Sequence, residues 1–93
     1  FIASVTAGGT LTSTSQNLSA SLLSTGKYRI THGFGNSTAA NTFVTGSNII
    51  DSSNIPHQAS VKTFTANYFD IWVQSTGAGA LKSLAFNFTI ARA

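Results

Sequence analysis

The feature that most narrows the fold is a pair of alternating runs near the carboxyl end. In Leu84-Ala85-Phe86-Asn87-Phe88-Thr89-Ile90 every second residue is large and apolar, and those between are small or polar. Period-two alternation marks a β-strand with one buried face. Tyr68 to Gln74 alternates as well, with Phe69, Ile71 and Val73 on one face and Tyr68, Asp70, Trp72 and Gln74 on the other. The turn-prone linker Ser75-Thr76-Gly77-Ala78-Gly79-Ala80 suggests that the two runs pair as a central β-hairpin, with 81–83 closing the loop or entering the second strand.

The rest of the 93 residues fits one all-β domain. Phe1 to Thr6 reads as an opening strand stopped by Ala7-Gly8-Gly9. Thr10 to Ser24 reads as a short strand and an irregular connection, with Leu11, Leu18, Leu22 and Leu23 as buried candidates; the hydroxyl and β-branched residues around them disfavour a helix. After a turn at Thr25-Gly26, the stretch Lys27 to Phe34 puts Tyr28, Ile30, His32 and Phe34 on one face and Lys27, Arg29 and Thr31 on a solvated one. Asn36 to Asn41 reads as a loop, Thr42 to Gly46 as a short strand, and Asn48 to Gln58, with its single Pro, as a long loop. Ser60 to Thr65 is a further strand. About six to eight short strands at roughly 8–12-residue spacing predict an antiparallel β-sandwich, jelly-roll-like in layout.

Composition narrows the function. Five bases stand against two acids, and the bases are spread along the chain rather than gathered in the stripe that nucleic acids favour, so no nucleic-acid partner is expected. No apolar run approaches the length of a membrane-spanning helix, and no membrane insertion is expected. There is no Cys, hence no disulfide and no thiolate. Without Met and opening on Phe1, residues 1–93 read as the C-terminal part of a longer chain.

The order of several short motifs resembles the small β-domain of bacteriophage tail fibres and other virion surface fibres. The chain opens Phe-x-Ala-x-x-x-x-Gly-Gly-Thr-Leu, continues with Gln16-Asn17-Leu18-Ser19-Ala20-Ser21 and Thr25-Gly26-Lys27-Tyr28-Arg29-Ile30-Thr31, and later carries Asn67-Tyr68-Phe69-Asp70-Ile71-Trp72-Val73 and Ala85-Phe86-Asn87-Phe88-Thr89-Ile90. Residues 41–47 depart from the pattern, which has a longer strand there. The resemblance implies a non-enzymatic domain of the virion surface, a homotrimer in contact with other virion proteins, that binds host cell-surface polysaccharide or caps the fibre. A structural capsid-decoration or head-fibre protein and a carbohydrate-binding module of a secreted bacterial protein are the alternatives.

Catalysis finds little support. There is no Gly-x-Ser-x-Gly elbow and no Glu for paired-carboxylate chemistry, and the two His and two Asp lack metal-ligand spacing, so neither metal nor cofactor is expected. His32, in phase with Tyr28 and Ile30, reads as an inward or interface histidine; His57, after Pro56, reads as a solvated loop residue. Trp72 is out of phase with the core residues of its strand, and with Tyr68 it should face outward. It reads as packed under a second layer or a subunit interface, as a sugar-stacking platform on which Asp70 and Gln74 offer hydrogen bonds, or as an ordinary covered surface aromatic. The candidate ligand-binding or interface residues are thus Tyr68, Asp70, Trp72 and Gln74, joined by the loop positions Asn36, Asn41, Asn48, Asp51 and His57. The sequons at Asn17, Asn36 and Asn87 arise readily in so Asn-, Ser- and Thr-rich a chain, and no role is given to them.

Overall fold

In a computed structural model of the chain, which describes residues 2–13, 18–32 and 42–92, alternation has become a two-layer sandwich. The strands are β1 (Ile2–Val5), β2 (Leu11–Ser13), β3 (Ser19–Ser24), β4 (Lys27–Thr31), β5 (Thr42–Gly46), β6 (Asn48–Ile50), β7 (Pro56–Phe64), β8 (Tyr68–Ser75) and β9 (Phe86–Arg92). They form an antiparallel four-stranded sheet in the order β2-β1-β9-β5 and an antiparallel five-stranded sheet in the order β3-β4-β8-β7-β6. The fold class is therefore the expected β-sandwich.

The core contains Phe69, Ile71, Val73, Phe86, Phe88 and Ile90 as the alternation specified, while Leu84, ahead of β9, is only half-buried and Ala3, Val5 and Ala59 join from strands whose buried face the sequence left open. Tyr28, Ile30, Phe69, Ile71 and Val73 from the larger sheet meet Ala3, Val5, Phe86, Phe88 and Ile90 from the smaller, all buried. The rings interlock across the layers: Phe69 meets Phe88 edge-on at 5.5 Å and Tyr28 meets Phe86 at 4.9 Å, geometries that suit the aromatic quadrupole. Burial raises the Tyr28 phenol pKa, partly offset by its Ser83 and Leu84 contacts, and its hydroxyl donates to the Ala7 carbonyl at 2.7 Å.

The expected hairpin does not exist. β8 pairs with β4 and β7, and β9 pairs with β1 and β5, in the other sheet. The linker between them crosses from one layer to the other. It is held against β8 by Lys82 N–H donating to Val73 O at 3.1 Å and against the turn between β3 and β4 by Ser83 Oγ accepting from Gly26 N–H at 3.0 Å. Alternation reports which face of a strand is buried; facing layers satisfy it as well as neighbouring strands do.

The long loop over 48–58 is also corrected. It contains β6, a tight turn over 51–55 and the start of β7. Asp51 makes the turn: its Oδ1 accepts from the N–H groups of Ser53 (2.8 Å) and Ile55 (3.0 Å), while Asn54 sits in the left-handed region at φ 61°, which Asn tolerates. Leu22 and Leu23 are 39% and 49% exposed rather than buried. They lie on the edge strand β3, where the register slips between Leu22 and Ser24.

Ser47 helps to join the sheets. Lying between β5 and β6, it donates its N–H to Asn87 O of the smaller sheet at 3.0 Å and accepts from Ala59 N–H of the larger at 3.1 Å. A strand that changes sheets must bend sharply, and Gly46 permits it, because a Cβ there would run into the Ala59 carbonyl.

Candidate functional site

Strand register fixes what the outer face of the larger sheet displays. Across it run the rows Thr31-Tyr68, Ser21-Arg29-Asp70-Thr63, Lys27-Trp72-Ser60 and Gln74-Gln58-Asn48. Trp72 and Tyr68 do turn away from the core and are half-buried. Lys62 falls where β7 slips register between Val61 and Thr63, and its side chain is directed to this face by that bulge.

Cations lie over both aromatic rings. Lys27 Nζ sits 4.2 Å from the Trp72 ring centre with Lys62 Nζ at 5.8 Å, and Arg29 Cζ lies 3.9 Å from that of Tyr68. The two clusters differ in what remains free. Arg29 is locked by a two-pronged pairing with Asp70, Nε to Oδ1 at 2.9 Å and the second nitrogen to Oδ2 at 3.1 Å, and this pairing raises the Arg29 pKa. Asp70 therefore has both oxygens engaged. Gln74 donates to the Gly79 carbonyl at 3.1 Å. Among the described residues the ammonium groups over Trp72 carry no carboxylate partner, so of the four outer-face residues picked out by sequence, Trp72 stands in the most available setting. Lys27 and Lys62, which complete the cluster, could have been found only from strand pairing.

A second site lies at one end of the sandwich, where the 51–55 turn meets the linker after β8. This cleft of about 500 Å³ is lined by Asp51, His57, Ser75 and Lys82 together with apolar residues. His57 is not a solvated loop residue: it is the second residue of β7, faces inward and is 3% exposed. Asp51 is buried too, its side chain 2% exposed and paired with Lys82 Nζ at 3.0 Å. The bonds from Ile55 N–H and Lys82 are the largest influences that depress its pKa, to about 2.

Ser75, His57 and Asp51 share this cleft without forming a hydrolytic triad. The Asp51 oxygens hold Ser53, Ile55 and Lys82; His57 Nδ1 bonds the Ile55 carbonyl at 3.0 Å; Ser75 Oγ accepts from Ala80 N–H at 3.0 Å. A triad needs the carboxylate on the imidazole and the imidazole on the hydroxyl, and neither contact is made. His32 is an inward histidine, 4% exposed, stacked on Phe64 and Phe69 with Nε2 on the Thr65 carbonyl at 3.1 Å. Asn48 is exposed on β6. Asn17, Phe34, Asn36 and Asn41 lie outside the described residues. Among the described residues no three His, Asp, Glu or Cys side chains converge to hold a metal ion.

These features define a small two-sheet β-sandwich with a cation-flanked aromatic face. Compared with protein-family models, curated proteins and solved structures, the chain matches none of them.

Proposed function

We propose that the chain is a non-enzymatic attachment domain of a virion fibre or appendage, working as a homotrimer on the particle surface, and that it holds host-surface glycan on the Trp72 face. The observation that carries this reading is the half-exposed indole with two ammonium groups over it. An indole face packs on the C–H face of a sugar ring. Lys27 already occupies that position, and a cation–π contact of this kind is worth about 0.5–1 kcal/mol, so a neutral sugar would have to displace it without recompense. An acidic sugar draws Lys27 and Lys62 onto its own carboxylate or phosphate while its ring takes their place over Trp72. Acidic glycans are therefore the favoured class. Weak single sites become effective when three copies engage one surface.

The competing use of the same face is as the trimer interface, favoured by the partial exposure of Tyr68 and Trp72 side by side on the outer face of the larger sheet. Trp72→Ala separates the two. Light scattering and binding to immobilised polygalacturonate are measured together. An intact trimer with binding reduced about tenfold supports the glycan reading, and a trimer that falls apart supports the interface. A native domain that is monomeric and leaves polygalacturonate unbound contradicts both.

A further inference from the structure

The end cleft has properties that the Trp72 face does not need. His57 is 3% exposed, and since a carbonyl only accepts, the 3.0 Å contact with Ile55 O makes Nδ1 the ring's donor. In the neutral ring Nε2 is then a lone-pair acceptor, and among the described residues no side chain or backbone group bonds to it. A buried polar atom of this kind is unusual in a folded protein, and its ring lines the cleft. Beside it Ser75 Oγ accepts from Ala80 N–H, which leaves the hydroxyl proton to be given. The walls are apolar, formed by Ile55, Pro56 and Leu81. At the rim, Lys82 and Asp51 neutralise one another at 3.0 Å, so an anion would compete with Asp51 and a cation with Lys82. The volume of about 500 Å³ falls in the range of small-molecule sites.

We propose that this cleft is a second, separate binding site for an uncharged ring-sized ligand, largely apolar and carrying one hydrogen-bond donor, which His57 Nε2 accepts. The apolar walls take the ring, and the donor satisfies the buried nitrogen. This site is independent of the glycan reading, since it lies at the end of the sandwich and shares no residue with the Lys27-Trp72-Lys62 cluster.

The test is an amide NMR titration of the native domain with p-cresol, with toluene as the same ring lacking the donor, and with glucose as a neutral polyol. Saturable shifts are expected at Ser75, Thr76 and Lys82, with p-cresol binding about tenfold more tightly than toluene. His57→Phe should erase that preference. Ala78→Trp, in the exposed part of the linker, should fill the cleft and lose both ligands without altering a buried residue, so the outcome stands even if the His57 variant fails to fold. Equal affinity for p-cresol and toluene, shifts confined to the Trp72 face, glucose as the sole binder, or cleft shifts that survive Ala78→Trp would each overturn the proposal.

Discussion

The outer faces of the two sheets are built on one core and differ in chemistry. The smaller sheet shows Ser4, Thr45, Asn87 and Thr89 outward, where Ser4 Oγ donates to Asn87 Oδ1 at 2.7 Å and the Asn87 backbone N–H donates to Ser47 Oγ at 3.0 Å. Short side chains in such a network leave little for a ligand to grip. The larger sheet carries Tyr68 under the Asp70-locked Arg29 and Trp72 under Lys27 and Lys62, and the two lysine ammonium groups have no carboxylate partner among the described residues. The same antiparallel geometry thus makes one closed surface and one receptive surface. The difference resides in residues that folding itself leaves unconstrained.

That contrast can be broken from the inside. Phe69→Ala removes a fully buried ring at the junction of both layers and should cost about 3–5 kcal/mol, so that chemical denaturation shows both faces lost together in one transition. If only one sheet loosened, the shared core would be refuted.

A smaller effect is expected at the corner. Gly46→Ala places a Cβ against the Ala59 carbonyl, and an overpacked site of this kind typically costs about 1–3 kcal/mol. Exchange of the Ala59 amide, bonded to Ser47 O, should quicken more than that of Ile71 in mid-sheet. Equal acceleration would mean that the bend is not a local constraint.

Smaller again is the stability cost on the outer faces. Trp72→Ala should lower stability by about 1 kcal/mol and Thr89→Ala by no more than about 0.5 kcal/mol. The sharper readout is polygalacturonate binding, which the first should weaken and the second leave unchanged. Matching losses would erase the distinction between the sheets.

A separate effect is one of pH. Asp51 is held at about 2 in the folded chain, below its usual value near 3.9. A depressed carboxylate stabilises the fold above its unfolded pKa, and that stability is lost as pH falls from about 4 toward about 2. The melting temperature of the native protein should therefore drop more over this interval than that of Asp51→Asn, and the two should converge at the acid end.

Much of this was legible in the chain. Phe86, Phe88, Ile90, Phe69, Ile71 and Val73 declare their buried face by alternation alone, and Trp72 declares itself the exception by phase. Alternation could not say that β8 and β9 face each other across layers, because the partner of a strand is a long-range choice absent from its own period. His57 was misplaced for a local reason: Asp51, Ser52, Ser53, Asn54 and Pro56 have the composition of a loop, yet Asp51 folds them into a turn of five residues and returns the chain to β7. Lys27 and Lys62 are 35 positions apart and meet at Trp72 only because β4 and β7 flank β8.

Trp72 is the sole tryptophan, so its fluorescence reports on the face directly. Titration of the native domain with oligogalacturonate should give a saturable change in emission that weakens as salt is raised and is absent with a neutral glucose oligomer. Emission that ignores the acidic sugar, or responds equally to the neutral one, would contradict a cation-flanked indole as the binding surface.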